Sequence, residues 1–296
     1  MQDIDLTHIT TDKLFLPVLA EKEVKAAVLR LDKIHPLVSG NKWFKLRYYL
    51  EEAVLQGKKN ILTYGGAWSN HILATAAACK MNNLSCTGII RGEEASNLSA
   101  TLILARELGM ELFFTRRADY QTKKIPEAYN KSEYYIIPEG GFGDRGAEGA
   151  ATILDYCTKE KYTHICCAAG TGTMTAGLTN GSHPSTQIIS ISVLKNNLSL
   201  DENIQQLLNG KEKRFQVIHD YHFGGYAKYK PALVTFMNEF YAATKIPSDF
   251  VYTAKLFFGV NDLLRNNFFP PGSRLLIIHS GGLQGNASLE KGTLIF

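Results

Sequence analysis

Residues 60–91 read NILTYGGAWSNHILATAAACKMNNLSCTGIIR, and the way this stretch divides decides the fold. Asn60 to Tyr64 is a short apolar run of strand length, and Gly65-Gly66 ends it. Small and apolar residues then continue from Asn70 to Met81 for a helical length, and Ser85 to Arg91 is again strand-like. A strand, a helix and a strand in this order form a βαβ unit, which requires a parallel sheet.

Working outward, the alternation persists. Ala100 to Leu108 reads as a helix and Glu111 to Thr115 as a strand, followed by a strand at Tyr134 to Pro138. A helix is expected over about Ala147 to Lys159, a strand at His164 to Ala168, a helix from Met174 and a strand at Gln187 to Leu194. A strand near Phe215 to His219, helices near Pro231 to Thr244 and Thr253 to Asn266, and a strand at Arg274 to His279 complete the series. So many units exceed one mononucleotide-binding half, so the fold class expected is α/β with two open, mostly parallel-sheet domains and helices on both faces. The glycine-rich run Glu139-Gly140-Gly141-Phe142-Gly143-Asp144-Arg145-Gly146 is placed at the seam. That gives a larger domain of residues 1–45 and 146–296 and a smaller one of 46–145. A ligand belongs in the cleft between them, at strand C-terminal ends.

Composition narrows the function classes. The 296 residues carry 32 basic and 28 acidic side chains, a net +4 too balanced for a nucleic-acid partner. The clusters Lys58-Lys59, Lys123-Lys124 and Lys211-Glu212-Lys213-Arg214 read as solvated loops. Five cysteines at 79, 86, 157, 166 and 167 show neither zinc spacing nor a disulfide framework, so no metal is expected. Cys166 and Cys167, adjacent in a strand, should face opposite ways. Met1-Gln2-Asp3-Ile4-Asp5 lacks a hydrophobic signal core and no apolar run suits a bilayer, so a cytoplasmic enzyme without a membrane partner is expected.

Four short motifs carry chemistry. Ser39-Gly40-Asn41-Lys42 stands directly before an amphipathic helix expected over Trp43 to Gln56, and Gly40 permits a tight turn there. Lys42 alone reads as a solvated lysine of a first helical turn; in a desolvated pocket its amine could instead form an imine with a carbonyl. Ala169-Gly170-Thr171-Gly172-Thr173 follows a strand and opens a helix, where backbone N–H groups and threonine hydroxyls suit a monoester phosphate. Its spacing matches neither a triphosphate loop nor a dinucleotide fingerprint. Gly65-Gly66-Ala67-Trp68-Ser69-Asn70-His71 also joins a strand to a helix, so Ser69 can cap that helix or offer its hydroxyl to a substrate carboxylate. The turn His279-Ser280-Gly281-Gly282 follows the last strand and can reach the same cleft.

Together with Val251-Tyr252-Thr253-Ala254-Lys255, these motifs resemble, in order, the D-cysteine desulfhydrase and 1-aminocyclopropane-1-carboxylate deaminase family. The resemblance spans roughly residues 12–290 and implies a tryptophan synthase β-like fold (fold type II) with pyridoxal 5'-phosphate in the interdomain cleft. It implies that Lys42 holds the cofactor and shuttles protons, that Asn70 bonds the pyridine 3-oxygen, and that Ala169, Gly170, Thr171, Gly172 and Thr173 hold the phosphate. Ser69, with Asn70, His71 and Trp68, would meet the substrate, and Tyr252 and Tyr226 would line its space. The Tyr226 match is weaker, since Ala227 stands where the family usually has glycine.

The resemblance further implies a small amino-acid substrate, a homodimer, and release of a 2-oxo acid and ammonia. Thr253 and Ser280 replace, respectively, the deaminases' usual glutamate near the ring nitrogen and a leucine. A neutral hydroxyl supports ring protonation less than a carboxylate, which favours β-elimination from a D-amino acid over opening of a cyclopropane. Trp68, Leu73 and Phe44 replace polar or arginine residues, from which a more apolar pocket is expected. The cyclopropane deaminase is the alternative within enzymes, and a non-catalytic amino-acid or phosphate-ligand binding protein the alternative outside them. A nucleotide-binding dehydrogenase lacks its fingerprint.

Overall fold

The computed structural model describes residues 4–123, 125–126, 129, 132–158, 160–210 and 214–296. Its strands are β1 Thr11–Leu14, β2 Lys25–Arg30, β3 Asn60–Gly65, β4 Ser85–Arg91, β5 Met110–Thr115, β6 Tyr134–Ile137, β7 His164–Ala169, β8 Gln187–Ser192, β9 Phe215–Ile218 and β10 Arg274–His279. Helices are α1 Pro17–Glu21, α2 Asn41–Leu55, α3 Asn70–Met81, α4 Ala100–Glu107, α5 Arg117–Gln121, α6 Asp144–Ala151, α7 Thr173–Gly181, α8 Leu200–Gln206, α9 Pro231–Thr244 and α10 Thr253–Arg265. The fold is α/β.

The strands form two sheets, ordered β1-β2-β10-β7-β8-β9 and β5-β4-β3-β6. Every pairing in the four-stranded sheet is parallel, and the six-stranded sheet departs only where β1 runs antiparallel to β2. Side chains alternate between the faces, as the two-residue period demands. Cys167, with Leu29, Ile165 and Leu276, joins a core that continues to Ile61 of the other sheet and Ile72 of α3. Cys166 turns the other way, with Val28, Ile189 and Ile277, onto α10. The opposite facing expected of the two cysteines is therefore observed, and all five thiols are free.

Some boundaries differ from expectation. The helix expected from Ala147 begins at Asp144 and tightens into a 3-10 turn over Thr152–Tyr156, while Lys159 lies outside the described residues. Helix α2 starts at Asn41, so Lys42 sits inside its first turn rather than before it. No element was assigned in sequence before Trp43, yet β1, α1 and β2 lie there, and α5 and α8 were also missed. Lys123 is not a freely solvated loop residue: its ammonium pairs with Glu139 and stands 3.5 Å from the Tyr120 ring centroid. Lys124 and residues 211–213 lie outside the described residues.

Helices α2, α6 and α7 pack side by side against the six-stranded sheet, α2 on α6 and α6 on α7. Glycine allows the approach: a Cβ on Gly149 would stand 1.8 Å from the Phe44 carbonyl oxygen. No helix among the described residues is long and apolar enough to cross a membrane.

Candidate active site

The loops leaving β3, β7 and β10 at their C-terminal ends meet at one cavity of about 170 Å³. This is where an open parallel sheet places a ligand. The turn carrying Lys42 is fixed by the loop after β10. Gly40 has φ 63° and a Cβ there would fall 1.8 Å from the Ser280 carbonyl oxygen, which itself accepts the Asn41 N–H at 3.2 Å. Across the contact Gly281, at φ 76°, lies as tightly against Ser39 and Gly40. Glycine is required on both sides, for the positive φ and for the close approach.

Lys42 lines the cavity, and burial lowers its amine to about 8, opposed in part by Glu139. Among the described residues no carboxylate pairs with it. One helical turn on, Lys45 faces the same space. Burial pushes its amine well below the ordinary lysine value, and the neighbouring charge of Lys42 adds to the effect.

The loop after β7 brings Ala169, Gly170, Thr171 and Gly172 to the cavity wall. Gly172 adopts φ 88° as the cap of α7, where a Cβ would meet Ile204 at 2.6 Å. Among the described residues no hydrogen bond engages the N–H groups of Gly170, Thr171 or Gly172. Thr173 lies behind the loop, fully buried, with its hydroxyl 3.0 Å from that of Thr171. Free N–H groups, a helix N-terminus and two buried lysines fit a phosphate monoester with a carbonyl nearby. The residues present thus fit pyridoxal phosphate.

The loop after β3 supplies Ser69, Asn70 and His71. Ser69 does both things its sequence position allows: its hydroxyl accepts the Ile72 N–H at a long 3.4 Å and its side chain lines the cavity. His71 has its Nε2 2.8 Å from the Thr63 hydroxyl, which donates to the Ile137 carbonyl. Nε2 is therefore the protonated nitrogen and Nδ1 is a buried acceptor with no partner. Burial, with Lys42 and Lys45 close by, keeps this imidazole neutral.

Tyr226 and Tyr252 close the cavity from above, their ring centroids 6.4 Å apart. Burial raises both phenols, so each is a neutral donor near neutral pH. The Tyr226 hydroxyl donates to the Trp68 carbonyl at 2.9 Å. Its neighbour Ala227 has φ 51°, which explains why glycine suits that position. Lys255 steadies this segment by donating to the Gly225 carbonyl at 2.7 Å.

Three predicted residues do not line the cavity: Thr173 behind the loop, Trp68 and Thr253. The Trp68 side chain is 39% exposed and contributes only its carbonyl. Thr253 is fully buried, donating to Asp249 Oδ1 at 2.7 Å while its oxygen accepts the Asp249 N–H at 2.7 Å. Of the pair Thr253 and Ser280, only Ser280 lines the cavity. The more apolar pocket expected from Trp68, Leu73 and Phe44 is not found, because Leu73 and Phe44 are buried in the core instead. Sequence reasoning missed Lys45, Arg91 and Glu139, all of which line the cavity. Only the helical period from Lys42 could have pointed to Lys45.

Comparison with known proteins agrees with this geometry. A putative 1-aminocyclopropane-1-carboxylate deaminase of Thermotoga maritima is 32% identical over 95% of this chain and 96% of its own length. A D-cysteine desulfhydrase of Salmonella paratyphi A is 24% identical over 94% and 93%. The crystal structure of an ACC deaminase homologue superposes with a TM-score of 0.82 at 27% identity, over 96% of this chain and 92% of that one. A tomato threonine deaminase, at 16% identity and TM-score 0.67 over 93% and 84%, shares the fold. The family model for pyridoxal-phosphate dependent enzymes matches residues 4–281, and the chain belongs to that family.

Proposed function

We propose that this enzyme is a lyase acting on a small amino acid, removing a β-substituent from a D-amino acid to leave a 2-oxo acid and ammonia. The observation that carries the reading is Lys42 itself, an amine lowered to about 8 in a cavity shared with the phosphate-type loop and Ser69. When bound, pyridoxal phosphate supplies a conjugated electron sink for negative charge developing at the substrate Cα.

The chain's own residues do the rest. The N–H groups of Gly170, Thr171 and Gly172 would hold the phosphate, with Ala169 and Thr173 shaping the loop and Lys45 alongside. Asn70 would bond the ring's 3-oxygen and the Ser280 hydroxyl its nitrogen, a reading supported by both residues lining the cavity. Ser69 and the free N–H groups opening α3 take the substrate carboxylate, with His71 Nδ1 as a neighbouring acceptor. Lys42 Nζ, once free, takes the proton from Cα. Tyr226 and Tyr252 keep neutral hydroxyls beside the departing group, and the Tyr226 bond to Trp68 excludes water. Thr253 acts indirectly, by fixing Asp249 and with it the turn of Tyr252.

Elimination is preferred to cyclopropane opening because neither Thr253, which turns away from the cavity, nor Ser280, which lines it, offers a carboxylate to the ring nitrogen. Among the described residues Glu139 is the one carboxylate lining the cavity, and Lys123 pairs with it. The name carried by the Thermotoga relative favours the other reaction. Assay of D-cysteine, L-cysteine, β-chloro-D-alanine and 1-aminocyclopropane-1-carboxylate for 2-oxo acid separates them. Turnover of the cyclopropane acid alone would overturn the elimination reading.

The reading includes a division into residues 1–45 with 146–296 and 46–145, supported by which strands share each sheet. It also includes a homodimer, supported by the exposed Val54 and Leu55 on α2, and a cytoplasmic location. Light scattering tests the first of these two and fractionation the second.

A further inference from the structure

We propose that Arg91 reads a second negative charge on the substrate, so that the favoured substrates are amino acids whose side chain ends in an anionic group. The inference rests on the reading of this cavity as an amino-acid lyase site. It starts from a count of charges. Three basic side chains line the cavity: Lys42, Lys45 and Arg91. Lys42 provides the reacting amine, and Lys45 lies with the loop that fits the phosphate. The substrate's α-carboxylate has Ser69 and the N–H groups opening α3. Arg91 is left with no anion to meet.

Its surroundings bear this out. Arg91 is the last residue of β4, and its guanidinium lies against the serine loop, 3.3 Å from where a Cβ on Gly66 would stand. It sits 5.7 Å from the Tyr120 ring centroid, and its charge acts on Tyr226. Among the described residues no ion pair or hydrogen bond engages the guanidinium, and Glu139 is already taken by Lys123. The cation therefore stands against the serine loop, in a groove that Gly170 and Thr171 of the phosphate loop also border.

There is also room for a longer side chain. Arg91 and Glu139 border a second, wider groove of about 960 Å³ that continues from the cavity past Leu194. A guanidinium remains charged at any working pH and offers a planar pair of donors to a carboxylate, phosphate or sulfonate. A neutral side chain over Arg91 would desolvate that charge without replacing its water, so discrimination acts against the neutral analogue as well as for the acid.

The test uses holoenzyme and pairs of amino acids that differ only in charge: aspartate with asparagine, and glutamate with glutamine, each in the D and L series. The shift of the visible cofactor band reports binding whether or not elimination follows. In at least one series the acid is expected to bind tenfold or more tightly than its amide. In Arg91→Gln this ratio should fall to about two or less, and Arg91→Lys should be intermediate because it keeps the charge but loses the planar pair. Equal weakening of acid and amide in Arg91→Gln would assign Arg91 to the α-carboxylate or to folding and overturn the inference. A preference for the amide, or no response to any of the acids, would also overturn it. If the acids bind with the expected ratio but no β-substituted amino acid yields a 2-oxo acid, the elimination reading fails and the role of Arg91 stands.

Discussion

A buried amine with an ordinary lysine environment would be charged almost to pH 10; Lys42 is not, and the difference can be read in a rate. Burial lowers it to about 8, and the neutral amine is the form that reacts with a carbonyl. Recombination of apoenzyme with pyridoxal phosphate is therefore expected to speed up about tenfold per pH unit below 8 and to level off above it. Stopped-flow absorbance measures this, and continued acceleration to pH 10 would contradict the buried environment. Lys42→Ala should lose the visible band altogether. The same shift carries a sign for stability. The folded value lies below the unfolded 10.5, so charging this amine costs the apo fold; the cost is full below pH 8 and vanishes above 10.5. Thermal melts of apoenzyme should accordingly show less stability lost to this group as pH rises through that window, relative to Lys42→Ala. Asp249 is the other residue whose removal has a clear result. Its carboxylate accepts the N–H groups of Val251, Tyr252 and Thr253 at 3.0, 2.9 and 2.9 Å. Asp249→Ala leaves those donors buried and unpaired, a loss on the order of 3 kcal/mol in urea denaturation.

At the scale of elements, the close contact of α2, α6 and α7 depends on glycine more than on apolar side chains. Beyond the contact at Gly149, a Cβ on Gly177 of α7 would lie 2.5 Å from both the Ala147 carbonyl oxygen and the Ala150 Cβ. Gly149→Ala has to push α2 away from α6, which shifts the Lys42 turn as well. Overpacking of this kind costs about 1–3 kcal/mol. Both a lower melting temperature and a weaker affinity for pyridoxal phosphate are expected, whereas Gly57→Ala, with nothing within 4 Å, should leave that affinity unchanged. The same elements show what the sequence could reveal. Helices α3 and α9 and strands β4 and β10 match their expected limits, because each is a continuous apolar or small-residue run ended by a turn signal. Strands β1 and β2 escaped notice. TDKL is half polar at a sheet edge, and β2 pairs on one side with that edge strand and on the other with β10, some 250 residues away in the chain. At the site, the glycine loops point to Ser69 and Gly170 by themselves, whereas Lys42 stands out from an ordinary first-turn lysine only through the family resemblance of the motifs taken in order. Arg91 carries no such local signature, and Glu139, though it opens the glycine-rich run placed at the seam, has nothing in that run to mark its carboxylate as facing the cavity.

That packing also governs how the whole molecule admits a ligand. One hydrophobic core runs from the six-stranded sheet into the four-stranded one, so the halves are not loosely tethered. Above the cavity, however, the link among the described residues is one hydrogen bond, from the Tyr226 hydroxyl to the Trp68 carbonyl. Tyr226 follows β9 of the larger sheet and Trp68 precedes α3 on the smaller, so this bond ties the two sheets across the mouth of the site. A neutral hydrogen bond of this sort contributes about 1 kcal/mol, enough to shift an open-to-closed ratio roughly fivefold. Fluorescence can follow it, because the chain has two tryptophans and only one is accessible: Trp43 is 1% exposed and Trp68 39%. Acrylamide quenching therefore reports on Trp68. In Tyr226→Phe the quenching constant is expected to rise about twofold, and KM should increase severalfold while the cofactor band stays in place. In the unaltered enzyme, a bound substrate analogue should lower quenching as the mouth closes. Identical quenching in Tyr226→Phe and the parent enzyme would mean that the core alone holds the halves together and that the tyrosine acts only on substrate.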